Sequence, residues 1–276
     1  MRVVPPPRIP SHLSDQRSVT VPLAEIVAAL DTELRTLDIP DFSGALNGLQ
    51  VGNDRLVSRV AVAVDASMAA VAEAANLKAD LLIVHHGLFW NGAQSLVGIT
   101  YQKYRSLLNN HIAVYSTHLP LDAHPRLGNN VQLATVLGLT PNGGFGRYQT
   151  IHIGVSGECD EPAGALVDRV QTFSARYGGS VRTSIPVDGR RTRHWAIVTG
   201  GGATTETLRE ARECGIDTLI VGEGPHHTTV DAQEQNLLVV YAGHYATETL
   251  GVQAVGAWIE TRFSLPWTFL HLPTGS

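Results

Sequence analysis

The sequence predicts an α/β protein made of two related α/β domains with mixed sheets, whose matching strand ends collect histidines and carboxylates. Three observations carry that reading. Short β-branched runs alternate with Ala-rich or Leu-rich helical segments over most of the chain. The two halves echo each other at identical internal spacing. Histidine is over-used, at 12 of 276 residues, and its most regular occurrences follow the ends of the β-branched runs.

Composition narrows the function classes. Apolar residues make up 43% and charged residues 16%, the balance of a globular chain and not of a disordered one. Twenty Lys and Arg against 25 Asp and Glu leave a net charge of -5, which excludes nucleic-acid binding through bulk charge. Cys159 and Cys214 are too few for a disulfide framework and lack metal-type spacing, so they read as buried thiols in a reducing compartment. No stretch approaches the roughly 18 apolar residues of a membrane span, because Asp65, Asp80, His85 and Glu248 interrupt the apolar runs. A soluble cytoplasmic protein is expected.

Residues 1–19 read as a loose tail, with Pro5, Pro6, Pro7 and Pro10 and without the apolar stretch of a signal peptide. The first domain spans 20–145. It opens on a helix over 22–35, with Leu23, Ile26, Val27, Leu30 and Leu34 at helical spacing, Thr20 as its cap and Pro22 in its first turn. Strands follow at 60–64, 81–84 and 112–115. The stretch 140–148, with Pro141 and three glycines, reads as the interdomain junction. The second domain, 146–276, carries strands at 151–155, 195–199, 218–221, 237–241 and 267–270.

The echo between halves indicates an internal duplication. Asp80-Leu81-Leu82-Ile83-Val84 followed by Gly87 recurs as Asp217-Thr218-Leu219-Ile220-Val221 followed by Gly224. Asn110-His111-Ile112-Ala113-Val114-Tyr115 leads to His118 and Asp122, and Asn236-Leu237-Leu238-Val239-Val240-Tyr241 leads to His244 and Glu248. Each copy therefore ends in His-x-x-x-carboxylate.

Ligands of open α/β sheets sit beyond the carboxyl ends of the strands, where these residues collect. Imidazole and carboxylate without thiolate suit Zn, Mn, Fe, Co or Ni. Neighbouring residues of a strand point to opposite faces, so His85 and His86 more readily serve two ions than one. Chance gives roughly 0.5 His-His doublets and about one His-x-x-x-acid spacing; the chain has two and three. Each motif also has a plainer reading: His85 and His86 as a pair bonded to backbone, Glu248 as a first-turn carboxylate after Thr247, Asp122 as a cap on the turn before Pro125. His226-His227 read as exposed or as residues behind a ligand. Gly200-Gly201-Gly202 reads as a tight strand-to-helix turn, with a phosphate cradle as the alternative. No G-x-S-x-G elbow occurs, and Ser116 near His118 is too slight a basis for a triad.

Five blocks resemble the GTP cyclohydrolase 1 type 2 homologue family, also called the Nif-three-like family of dinuclear-metal proteins. They are Asn47-Gly48-Leu49-Gln50-Val51-Gly52, the run from Leu81 through His85-His86-Gly87, Thr117-His118-Leu119-Pro120-Leu121-Asp122, Leu127-Gly128-Asn129-Asn130 and Gly243-His244-Tyr245-Ala246-Thr247-Glu248. The blocks occur in order, and the resemblance runs from about Thr20 to the carboxyl terminus. It implies two divalent metal ions between two related domains and a ring-shaped homohexamer. The implied ligands are His85, His86, Asp122, His244 and Glu248, with Glu248 bridging. His118 and Glu223 are the implied candidates for proton transfer, behind the ligands or facing the substrate. The short junction at 140–148 leaves no room for an insert domain, and the proline-rich tail departs from the common pattern.

Two functions follow as expectations. The first is a dinuclear metal-dependent hydrolase acting on a nucleotide or related small molecule, in the family's sense a water activated by metal opening the guanine imidazole ring of GTP. The second is a non-catalytic metal-binding or partner-binding scaffold in which the ions hold the two domains together. A purely structural α/β protein is the third and weakest. No guanine or triphosphate pocket, such as an Arg cluster at a strand end, is visible in the sequence.

Overall fold

The computed structural model describes residues 19–92 and 94–275. Residues 1–18, nearly all of the expected loose tail, lie outside the described residues.

The chain begins with β1 (Val21–Pro22), α1 (Leu23–Leu34), β2 (Gly48–Val51), β3 (Leu56–Val57), β4 (Val60–Asp65), α2 (Met68–Asn76) and β5 (Leu81–His86). Next come α3 (Gly98–Asn109), β6 (Ala113–Ser116), α4 (Leu119–Asp122), α5 (Asn129–Val136), β7 (Gly143–Tyr148), β8 (Ile151–Pro162) and α6 (Ala163–Arg176). The last third holds β9 (Arg182–Thr183), β10 (Arg191–Val198), α7 (Thr205–Glu213), β11 (Thr218–Val221), α8 (His226–Glu234) and β12 (Leu238–Tyr241). It closes with α9 (His244–Thr247), α10 (Thr249–Phe263) and β13 (Trp267–Phe269).

Among the described residues the strands form two mixed sheets and one two-stranded antiparallel sheet, β1-β3. The first has order β13-β4-β5-β6-β2 and the second β7-β8-β10-β11-β12-β9. The echoed segments become the parallel pair β5–β6 in the first sheet and the parallel pair β11–β12 in the second. Their apolar runs are continuous because both sheet faces are covered. Val60, Val62, Leu81 and Ile83 pack against α1 and α10, while the alternate residues Ala61, Ala63, Leu82 and Val84 pack against α2 and α3. The second sheet repeats the arrangement. Trp195, Ile197, Ile220 and Val240 face α5 and α6, and Ala196, Val198, Leu219 and Val239 face α7 and α8.

The structure corrects several local expectations. Thr20 does not cap α1; Pro22 occupies the cap position, because β1 pairs with β3 and holds the entry to the helix extended. The glycine-rich stretch 140–148 is no bare junction, since residues 143–148 form β7, an edge strand paired along β8. Strand β8 runs on to Pro162 because it has partners on both sides, β7 and β10. The halves of the chain do not map one to one onto the sheets: β13 pairs with β4, and Val252, Val255 and Ile259 of α10 complete the core of the first sheet. Nor are the thiols both buried. Cys159 is half-buried, and Cys214 is exposed where α7 ends and Gly215 turns the chain back to the sheet.

Candidate metal centre

Strand β5 carries His85 and His86 at its carboxyl end, and both rings are fixed by Nδ1. His85 donates to the Thr117 carbonyl at 3.0 Å, and His86 donates to Asp65 Oδ1 at 2.9 Å from the neighbouring strand β4. Each ring is left with Nε2 turned toward Glu248, His85 toward Oε1 and His86 toward Oε2. The rings lie 4.7 Å apart, centroid to centroid.

Asp122 ends α4, the short helix after β6. Asn129 Nδ2 donates to Asp122 Oδ1 at 2.8 Å, which turns Oδ2 toward His85 Nε2 at 3.5 Å. His244 opens α9 beyond β12, and Glu248 stands between α9 and α10. Glu248 Oε1 is 3.5 Å from His85 Nε2; Glu248 Oε2 is 3.5 Å from His86 Nε2 and 3.2 Å from His244 Nε2. The carboxylate thus faces one constellation of His85 and Asp122 with one oxygen, and a second of His86 and His244 with the other. Ligand atoms of His86, His244 and Glu248 lie within 4.8 Å of one another, as do those of His85, His86 and His118.

These side chains fit a divalent cation. His85 Nε2 and Glu248 Oε2 are buried without a hydrogen-bond partner, a costly arrangement for a core that excludes water. Ligands about 2.1 Å from a tetrahedral centre lie about 3.4 Å from each other, which is the scale of the separations here. The electrostatics agree. Burial alone would drive His85 neutral, but the Asp122 and Glu248 carboxylates outweigh it and push the ring up to about 10. His244 is likewise pushed up to about 9, Glu248 and Glu223 outweighing its burial. Glu248, fully buried, is held well below the usual carboxylate range by His86, His85 and His244. His86, His244 and Glu248 form a group that could hold a metal ion, and so do His85, His86 and His118.

The other predicted residues fall in three places. His118 sits beside the cluster, its ring 4.9 Å from that of His85, and its Nδ1 donates to Asp41 Oδ1 at 2.8 Å. Glu223 lies behind His244 and accepts from its Nδ1 at 2.7 Å, so it holds the ring from the side away from Glu248. His226 and His227 are exposed on α8 and take no part. Gly200 is a tight turn, with φ +62°, and a Cβ there would overlap Glu248 Oε1. Glycine at this position makes room for the carboxylate.

Sequence reading missed the residues that position these side chains. Asp41 accepts from His118 Nδ1, Asn47 Nδ2 at 2.7 Å and the Leu119 amide at 2.8 Å. Asn47 in turn accepts from the His118 amide at 2.7 Å. Asn129 and Asn130 tie the sheets together. Asn129 Oδ1 accepts from the Gly251 amide, and Asn130 Oδ1 from the Thr199 amide. Asn47, Asn129 and Asn130 lay within the quoted blocks; Asp41 and Asp65 had no local signal. The cluster opens on a cleft of about 780 Å³ lined on one side by Phe42, Trp90 and Tyr148.

Fold and site together define a two-sheet α/β protein with a histidine and carboxylate cluster able to hold metal where the strand ends of both sheets meet. The sequence pattern of the Duf34/NIF3 family (NGG1p interacting factor 3) matches residues 24–274, and the chain belongs to this family. Among relatives, a GTP cyclohydrolase 1 type 2 homolog of Halobacterium salinarum is 40% identical over 248 residues, covering 87% of this chain and 96% of that one. The protein of the same name in Deinococcus radiodurans is 38% identical over 257 residues, 91% of this chain and 93% of its own. A solved structure described as protein ybgI, of unknown function, superimposes with a TM-score of 0.81 at 35% identity, over 92% of this chain and 99% of its own. A second, a Thermus thermophilus protein, gives 0.78 at 34% identity over 92% and 99%. Among the described residues no helix is long and apolar enough to cross a membrane.

Proposed function

We propose that the protein is a dinuclear metal-dependent hydrolase acting on a nucleotide or related small molecule, with GTP the first substrate to try. The observation that carries the reading is the position of Glu248, whose two oxygens face two separate sets of ligand atoms. His85, Asp122 and Glu248 would hold one divalent ion, and His86, His244 and Glu248 the other. The donor set suits Zn, Mn, Fe, Co or Ni. Such a pair, when bound, supplies Lewis acidity that lowers the pKa of water toward neutrality and offsets charge developing on the attacked group.

The chain's own residues do the remaining work. Asp41 fixes the tautomer of His118 by accepting a hydrogen bond from its Nδ1–H, so Nε2 is the nitrogen that takes or returns a proton in the cleft. Glu223 and Asp65 hold His244 and His86 in the same manner, each by Nδ1. Phe42 and Trp90 cover one wall and thin the water beside the reacting group. The relatives' shared name and a cleft of small-molecule size support the reading. A ring-shaped homohexamer belongs to the same proposal; light scattering should give several times the 29.6 kDa chain mass.

The test pairs elemental analysis of protein purified without added metal with an assay for formate released from GTP. About two first-row ions per chain and metal-dependent formate release support it. A chain that neither carries nor takes up metal refutes it. The scaffold reading has one observation in its favour, the Asn129–Asn130 ties between the sheets beside the cluster. Two ions with no turnover, and unfolding on chelation, would favour the scaffold.

A further inference from the structure

The cleft beside the cluster has a second chemical feature that the metal ligands do not use. Besides Asp65, Asp122 and Glu248 of the metal site, its lining carries one further carboxylate, Glu206, and one permanently charged cation, Arg147. Arg147 stands on β7, the edge strand of the second sheet. Its backbone amide donates to Glu210 Oε2 at 2.8 Å, and Glu210 is a buried residue of α7. The strand is thereby clamped to the helix while the guanidinium stays exposed, and among the described residues it makes no ion pair or hydrogen bond. A fixed backbone under an uncommitted guanidinium is suited to taking a carboxylate or phosphate.

From Arg147 an aromatic wall leads to the cluster one ring at a time. Tyr148 adjoins Phe42 at 5.0 Å between centroids, Phe42 adjoins His118 at 6.0 Å, and Trp90 meets His118 edge-on at 4.7 Å. Phe42 is 51% exposed, a large apolar ring facing solvent within the cleft, and the buried Nε1 of Trp90 has no hydrogen-bond partner. Exposed rings beside an unpaired guanidinium complement a flat molecule with an anionic edge.

We propose that Arg147 is the specificity-determining residue of this cleft and that its ligand is a planar aromatic molecule bearing one anionic group, phosphate or carboxylate. The ring lies on Phe42 and Tyr148, the anion pairs with Arg147, and the opposite end of the molecule reaches His86 and Glu248. One anionic group is specified because Arg147 is the one Lys or Arg among the residues lining the cleft, so one guanidinium is available away from the metal ligands. The proposal rests on the metal-centre reading for where the reacting end lies, and it adds the class of ligand.

The test is calorimetric binding of two matched pairs, guanosine 5′-monophosphate against guanosine and orotate against uracil, with metal content measured on the same samples. In the wild-type chain the anionic member of at least one pair should bind about tenfold tighter, which is about 1.4 kcal/mol. The pair that shows the ratio says whether phosphate or carboxylate is taken. Arg147→Met should bring the ratio to within about twofold while leaving guanosine binding unchanged, and Arg147→Lys should restore part of it. Phe42→Ala should weaken both members of a pair equally. A ratio that survives in Arg147→Met overturns the proposal, as does failure of all four compounds to bind. A chain that neither carries nor takes up metal yet shows the ratio would refute the hydrolase reading alone; metal-loaded protein without the ratio would refute this inference alone.

Discussion

His85 Nε2 and Glu248 Oε1 face each other at 3.5 Å in the interior, although one residue is the last but one of β5 in the first sheet and the other lies beyond β12 of the second. The pair draws strand ends of both sheets to one point. Removing either member should therefore remove metal. His85→Ala and Glu248→Ala are expected to weaken metal binding by more than about 100-fold, and Asp65→Ala, which only releases His86, by about 10-fold to 100-fold. His227→Ala, exposed on α8, should leave metal content unchanged. Metal per chain by plasma emission, after equilibration at fixed free metal, checks all four.

The same pair gives the metal-free chain a definite pH dependence. His85 is pushed up to about 10 and His244 to about 9, against about 6.5 when unfolded. Raised values mean that the folded state holds protons the unfolded state releases, so this stability is complete below about pH 6.5 and is lost as pH rises through 9 and 10. Urea midpoints of chelated protein should fall across that window. Glu248 acts in the opposite sense, its contribution being lost as acid protonates it. Metal requires neutral imidazoles, so binding near pH 7.5 should expel about two protons per chain, measured by titration calorimetry in buffers of different ionisation heat.

Asp41 gathers three donors from His118, Asn47 and Leu119 in a buried setting. Asp41→Ala leaves those donors unpaired and should cost about 3 kcal/mol in denaturant unfolding. Asp38→Ala, which loses only an exposed pair with Arg35, should change stability by less than about 0.5 kcal/mol.

Adjacent glycines separate a conformational requirement from a permissive one. Gly200 has positive φ and no room for a Cβ beside Glu248, whereas Gly201 has open space and no such φ. Gly200→Ala should lower both metal content and the melting temperature, with about 2 kcal/mol of stability lost. Gly201→Ala should match the wild type within about 0.5 kcal/mol by the same two measurements.

The strands that read most clearly in the sequence are those with both faces covered. Val60 to Ala63 and Leu81 to Val84 are apolar at every residue, and each residue finds a helix on its own side. Strand β7 did not read as one, because its Gly143, Gly144 and Gly146 have little intrinsic strand preference; pairing along β8 supplies it. Likewise β13 reads as a strand but not as a member of the first sheet, a matter of which apolar face α10 covers.

What the sequence determined by itself was chemical and local: an α/β alternation, and imidazoles and carboxylates placed just beyond strand ends. His85 and His86, His118 and Asp122, and His244 and Glu248 are legible because each pair is spaced within one strand end or one helical turn. Only the tertiary structure decided that Glu248 divides its two oxygens between His85 and His86, that Asp41 rather than a sequence neighbour holds His118, and that Arg147 faces the same cleft. Those relations join residues far apart in the chain. They depend on how the two covered sheets pack strand end to strand end, and periodicity, which reports only each segment's own buried face, carries no information about that packing.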